Sequence, residues 1–345
     1  MSFLKLSECC KANLDTIVLV PSAFERDGAE QEAKPFEERL TFEKSGKRLP
    51  SPFFFYFSHT PYKKEVKERL SSIIKVIIER KMAIFGEQHT YRLITGNLVL
   101  EEKEDVIEAV EYVEEEELRQ LFVSQITPDR KGVHIHYLTK NFGIELKLGM
   151  DREPLSEELK NGAPSHHLDI RNLNELRSYV KLLKEATLYK QPVFVSIRGD
   201  SGYDVAFESV EGGADVILLR CSNPVVEIPP VLDALRDSEA RKKGVKLFVV
   251  SPLNGAEDIL KLRALGADAV GFDMCEIFAK LKDDEGLRKY LNSLESELTQ
   301  RMKFYGLRRL SSLNEEDLRA LDYNTAALSG LKLIGYDRKL PMWLH

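Results

Sequence analysis

The chain has 345 residues, 43% hydrophobic and 31% charged, enough apolar mass to bury one large domain with appendages. A formal net charge of −6 argues against a protein that coats nucleic acid through overall basicity, and no window approaches 18 uninterrupted apolar residues, so no membrane span is expected. The charge excess lies in Glu, Lys and Arg, a composition that fits a thermophilic source, where ion-pair networks gain as charge hydration weakens with heat. No basic n-region precedes an apolar stretch, and the four cysteines, at 9, 10, 221 and 275, show no C-x-x-C spacing. The expectation is a soluble, cytoplasmic protein with reduced thiols and neither a zinc ribbon nor a redox motif.

Residues 1–50 read as a polar, irregular N-terminal arm with one apolar run, 17–20, closed by Pro21. At Pro52 the rhythm changes. Residues 53–57 are Phe-Phe-Phe-Tyr-Phe, too short for a core helix and bounded by Pro and Ser, which predicts a buried strand. The segment 63–80 carries Val66, Leu70, Ile73, Ile74 and Ile77 on one helical face. Residues 82–85 form the next predicted strand, ended by Gly86. A hairpin insertion is expected over 91–100, with its turn at Gly96-Asn97, then a helix over 104–120, a strand over 121–126 and a fourth strand over 144–148. Residues 132–137 alternate without a clear assignment.

The second half is more regular. Short apolar runs at 193–197, 216–219, 245–250 and 269–272 alternate with helical patterns at 174–186, 204–211, 230–243 and 256–265. Such alternation means right-handed crossovers and a parallel sheet. Eight strands, each with a helix in reach, predict a (β/α)8 TIM barrel over residues 51–283; an open doubly wound sheet gives the same pattern. Residues 284–345 read as a C-terminal helical extension. It holds a long helix over 285–305 ended by Gly306, and a short one capped by Asn314 with Glu315 and Glu316 opposing the helix dipole. Its apolar tail, Pro341-Met342-Trp343-Leu344-His345, should dock on the body or on a second subunit.

Several segments carry a further signal. Leu146-Lys147-Leu148-Gly149-Met150-Asp151-Arg152 stands against Ile-Lys-Ile-Gly-Gln-Gly-Ala, and Val195-Ser196-Ile197-Arg198-Gly199 against Val-Ser-Val-Lys-Leu. Pro164-Ser165-His166-His167-Leu168-Asp169-Ile170 and the turns Gly213-Ala214-Asp215-Val216-Ile217 and Gly266-Ala267-Asp268-Ala269-Val270 follow the same pattern. Over residues 35–336 the chain resembles the FMN-binding synthase barrel of glutamate synthases, most clearly from Lys147 onward. The resemblance implies a TIM barrel, FMN, an iron–sulfur cluster and a reaction on an amino acid or 2-oxo acid.

The departures from the family bear on that implication. Where the family has Gly-Gly-Thr-Gly-Ala after the sixth strand, this chain has Arg220-Cys221-Ser222-Asn223-Pro224. The loops that commonly hold the cofactor phosphate reduce to Ser251, Leu253 and Asn254 after the seventh strand and Gly271, Phe272 and Asp273 at the eighth. Pro252 has no N–H to give, and Asp273 places a carboxylate about where the phosphate dianion should sit. Only Cys275 stands where the family's iron–sulfur cysteines cluster. The expectation is therefore no FMN, no iron–sulfur cluster, no metal and no catalytic residue; Glu87, Lys147 and Arg198 are the candidates if the chain is active.

Each candidate also has a plainer reading. Lys147 and Arg198 end barrel strands and either bind an anion or form salt bridges with Glu87 or Asp169. Adjacent His166 and His167 point oppositely in an extended segment, so they rarely share an ion. The loop Gly199-Asp200-Ser201-Gly202 enters a helix, but Asp200 speaks against phosphate there. The expected role is a degenerate barrel that binds, scaffolds or regulates, as a homodimer within a larger assembly. The partner would be a glutamate synthase paralogue or a ribosome-like machine. The alternative is an active FMN-dependent oxidoreductase. The dimer rests on apolar residues of the extension, among them Leu318, Leu321, Leu328, Leu331, Leu333 and Ile334.

Overall fold

The computed structural model describes residues 13–21, 33–58, 64–95, 100–102, 105–107, 115–128, 135–149, 166–199, 202–281 and 283–340. Its strands in chain order are β1 (Ile17–Leu19), β2 (Leu40–Phe42), β3 (Lys47–Leu49), β4 (Phe53–Tyr56), β5 (Ala83–Gly86), β6 (Leu100–Glu102) and β7 (Asp105–Ile107). There follow β8 (Phe122–Ile126), β9 (Gly143–Lys147), β10 (Val193–Arg198), β11 (Val216–Arg220), β12 (Lys246–Val250), β13 (Ala269–Asp273) and β14 (Leu318–Ala320). β4, β5 and β8 to β13 close into a barrel, β13 pairing back onto β4 in parallel. The (β/α)8 TIM barrel holds, and the open sheet does not.

The strands lie between helices outside and aromatic rings within, so both faces are buried and the sequence reads as continuous apolar runs. The lumen is filled by Phe54, Phe85, Phe194 and Phe248, with Phe54 and Phe248 centroids 5.2 Å apart and Phe85 and Phe194 5.1 Å apart. Gly271 of β13 makes room for them: a Cβ there would lie 2.5 Å from Phe54 Cε2.

The arm contributes a floor. β2 and β3 pair antiparallel and push Phe42 into the lumen, its ring 5.7 Å from Phe142. Lys47 Nζ donates to the carbonyls of Phe142 at 2.6 Å and Asn141 at 3.2 Å, and to Gln191 Oε1. Burial draws its ammonium down to about 8. The folded state therefore sheds this proton before the unfolded chain does. The penalty of holding it is present below pH 8 and is relieved as pH rises towards the ordinary 10.5. Wild-type stability relative to Lys47→Met should climb over that interval in paired urea unfolding series; a flat difference would contradict the burial of the charge.

Three expectations require correction, and one unassigned segment gains an element. Residues 91–100 do not form a hairpin: Gln88–Ile94 is a helix that buries Thr90, Tyr91 and Ile94, while 96–99 lie outside the described residues. A hairpin comes later, β6 pairing antiparallel with β7, so residues 105–107 of the helix expected over 104–120 are a strand; Glu115–Arg119 is helical, and 108–114 lie outside the described residues. Of the unassigned segment 132–137, residues 135–137 open a helix, Ile135–Lys140, and 132–134 lie outside the described residues. The helix placed at 230–243 is Pro224–Asp237; Pro224 at its first position loses no hydrogen bond, because that N–H has no partner within a helix.

In the extension, Asp284–Phe304 buries Leu287, Leu291, Leu294 and Leu298 along one stripe. Arg80–Glu295 at 2.8 Å and Arg301–Glu257 at 3.0 Å tie it to neighbouring helices. Beyond it, β14 pairs antiparallel with β1, Ile17 opposite Ala320. Leu318 and Leu331 are buried, whereas Leu321, Leu328 and Ile334 are 47%, 42% and 50% exposed, which splits the apolar set between own core and surface. The tail 341–345 lies outside the described residues. No described helix is long and apolar enough to cross a membrane.

Candidate functional site at the C-terminal mouth of the barrel

Parallel register sets the site. Ser196 stands opposite Lys147 and Arg198 opposite Arg220, so β9, β10 and β11 each bring a cation to the same end of the barrel. Below them lies Glu145, fully buried, whose Oε1 accepts from Tyr56 Oη at 3.0 Å. Burial raises its carboxyl pKa, and the charges of Lys147 and Arg220 oppose that rise. Lys147 is itself buried, donates to the carbonyl of Ser58 and lies 5.2 Å from the Tyr56 ring centre. Arg220 donates to the carbonyl of Leu148. Glu145, a residue the sequence reading passed over, is thus a buried carboxylate on which the charge of Lys147 acts. Glu87 is half-buried at the end of β5, where its charge acts on the Tyr137 phenol.

Arg198 is exposed and lines a cavity of about 400 Å3 with Gly149, His166, His167 and Arg171. His166 is exposed and His167 buried, so the two rings leave the chain on opposite sides. His167 Nδ1 accepts the Asp169 N–H at 3.2 Å. Among the described residues no group of three or more potential metal ligands forms. Cys221 is buried, which pushes its thiol pKa well up, and Cys275 Sγ lies 3.3 Å from Ser58 Oγ. Cys9, Cys10, Met150, Asp200 and Ser201 lie outside the described residues.

The remnant phosphate loops do converge. Ser251, Leu253, Asn254, Phe272 and Asp273 line a cavity of about 250 Å3 with Glu276. Gly271 instead faces Phe54 in the lumen. What fills the backbone donors there is the chain's own carboxylates. Asp273 Oδ1 accepts the Cys275 N–H at 2.7 Å, capping the helix Met274–Lys280. Asp258 Oδ2 accepts the Asn254 N–H at 2.8 Å. Glu227 Oε1 accepts the N–H groups of Asn223 at 2.8 Å and Ser222 at 3.3 Å. Glu227 reaches that position because residue 199 is glycine; a Cβ would sit 1.5 Å from its Oε2.

So the loops after β11, β12 and β13 each spend amides on an internal carboxylate, and Pro252 offers none. A flavin phosphate needs such amides and would sit beside Asp273 and Glu276, a like-charge conflict. The residues present do not fit the FMN phosphate. Glu227 and Asp258 escaped the sequence reading although a signal existed: each is a carboxylate in a helix's first turn, four residues after the loop amide it accepts.

Barrel and mouth define the class, a (β/α)8 barrel of the architecture shared by FMN oxidoreductases. A flavocytochrome b2 variant solved with sulfite bound superposes with a TM-score of 0.62 at 14% identity, covering 96% of this chain and 84% of that one. That likeness is one of fold. The family model for the conserved region in glutamate synthase matches residues 150–223, and that for FMN-dependent dehydrogenase matches 224–320. The archaeal-type glutamate synthase [NADPH] of a Thermotoga species is 28% identical over 191 residues, 45% of this chain and 38% of that protein. The archaeal glutamate synthase [NADPH] of Methanocaldococcus jannaschii is 24% identical over 284 residues, 62% of this chain and 56% of that protein. The matched region thus takes in well under two thirds of either relative. The chain is thus similar to glutamate synthases over part of their length, and the two family matches together run over residues 150–320.

Proposed function

We propose that this chain is a cytoplasmic glutamate-synthase-type barrel that works by binding, as a scaffold or regulatory protein, without flavin or iron–sulfur chemistry of its own. The observation that carries the reading is the self-filled cup. Asp273 caps the helix that should receive a phosphate, and Glu276 lines the same small cavity. Titration with free FMN, followed by flavin fluorescence, should give no micromolar complex. A micromolar or tighter complex would overturn the proposal.

One observation favours a second reading. The buried Glu145–Lys147–Tyr56 cluster keeps charge at the mouth, where barrels of this class do chemistry. An FMN-dependent oxidoreductase acting on an amino acid or 2-oxo acid would use Lys147, Arg198 and Glu87 there. Colour separates the two: such an enzyme purifies yellow, with a flavin absorption band.

The binding reading includes self-association through the extension, and through it a place in a larger assembly with a glutamate synthase paralogue or a ribonucleoprotein machine. Exposed Leu321, Leu328 and Ile334 supply the apolar surface. Light scattering at tens of micromolar should report a dimer for wild type and a shift towards monomer for Ile334→Glu, whose side chain is half-exposed and can change without disturbing the core. A monomeric wild type would end the idea.

A further inference from the structure

The opposite end of the barrel holds a cavity of about 740 Å3 whose lining includes Lys47, Arg48, Arg119, Lys140, Glu116 and Asn141. Four cations meet one carboxylate there, on a chain whose formal net charge is −6. They come from three separate elements: β3, the helix Glu115–Arg119 and the helix Ile135–Lys140 with the residue after it. Charge concentrated by folding from distant segments is not a solvated run along one helix face. Arg48 and Lys140 are exposed to an arriving anion, while Lys47 is committed to the floor. Asn141 is 1% exposed, and its Nδ2 donates to Ser124 Oγ at 2.9 Å. Its Oδ1 is a buried acceptor that meets no donor among the described residues.

We propose that this cavity binds a small phosphorylated molecule of nucleotide size. Arg48, Arg119 and Lys140 take its phosphate oxygens. The volume lies within the range of small-ligand sites. Arginine matches phosphate geometry through paired N–H donors, and lysine adds a point charge. A bare inorganic anion would satisfy the cations but leave most of the roughly 740 Å3 unfilled, so the cavity favours a phosphate ester over free phosphate. The site is independent of the mouth, and its test stands apart from the FMN titration.

The test is calorimetric titration of the full chain with ADP, and separately with inorganic pyrophosphate, at fixed ionic strength. ADP is expected to bind saturably and more tightly than pyrophosphate. The double variant Arg48→Glu/Lys140→Glu should weaken ADP by about tenfold or more, the equivalent of losing charge-assisted hydrogen bonds. Both positions are exposed, so circular dichroism should show an intact fold. If the variant fails to fold, amide exchange in wild type replaces it, with ADP expected to slow exchange at residues 47–49 and 116–121. Three results overturn the proposal: no saturable ADP binding, equal ADP affinity in the folded double variant, or no slowing at those amides. Tighter binding of a single-stranded oligonucleotide than of ADP at equal phosphate concentration would also overturn it, in favour of a nucleic-acid surface.

Discussion

Replacing Phe248 with alanine is expected to destabilise the barrel by about 3–5 kcal/mol. The ring sits at the centre of the lumen, 5.2 Å from Phe54, 5.6 Å from Phe194 and 6.5 Å from both Phe85 and Phe42. Its truncation removes dispersion contacts to several rings at once. The hole cannot close easily, because hydrogen bonds around the barrel fix the distance between opposite strands. Neighbouring Gly271 has no side chain to move in. Phe248→Leu keeps most of the volume and should cost less than about 1.5 kcal/mol. Urea unfolding followed by circular dichroism measures both. A loss below about 1 kcal/mol for alanine would mean that the lumen repacks, contrary to the close packing of protein interiors.

Asp215→Ala should be comparably severe, about 3–5 kcal/mol, for a different reason. Lys184 is 2% exposed and donates to Asp215 Oδ2 at 2.6 Å. The same oxygen accepts the Val193 N–H at 2.8 Å, at the start of β10. Removing the carboxylate leaves a buried ammonium without its counter-charge and a buried amide without its acceptor. Pairing the change with Lys184→Met removes the stranded charge, so the double variant should regain much of the loss. If the double variant proved no more stable than Asp215→Ala, the ion pair would not be the source. The measurement is the same urea series, read as a double-mutant cycle.

Asp215 also explains part of what made the sequence readable. Asp268, in the second Gly-Ala-Asp turn, repeats its role: its Oδ2 accepts the Leu247 N–H at 2.7 Å in β12. Each turn needs a left-handed glycine, Gly213 at φ 97° and Gly266 at φ 105°, then an Asp that pins the start of a neighbouring strand. Such local requirements write themselves into sequence. The strands β10 to β13 were legible because burial on both faces leaves only apolar residues in runs bounded by these turns. The first half lacks that punctuation. Tyr91 and Ile94 stand three apart, which suits one helical turn, yet the Gly96-Asn97 pair drew the reading towards a hairpin. The acidic stretch around residue 105 reads as a helix face until Leu100 finds Ile107 across a ladder.

At the mouth, the identities of Lys147, Arg198 and Asp273 were legible but their directions were not. Lys147 turns inwards over the Tyr56 ring, where its charge and that of Arg220 ease the burial of Glu145. The grip of Glu227 on Ser222 and Asn223 depends on a glycine in another loop, a relation between positions 199 and 227 that no local pattern carries.

The ladder between β1 and β14 has a temporal side. Ile17 pairs with Ala320, so nearly the whole chain separates the partners. During synthesis at roughly 5–20 residues per second, the early strand waits on the order of 15–60 s before its complement exists. The barrel can close in that interval, since its own strands neighbour one another in order. The late ladder then acts as a clasp over a finished body. Chains truncated before residue 318 would hold a closed barrel with an unclasped end, open to proteolysis at the N-terminal segment while the lumen stays protected.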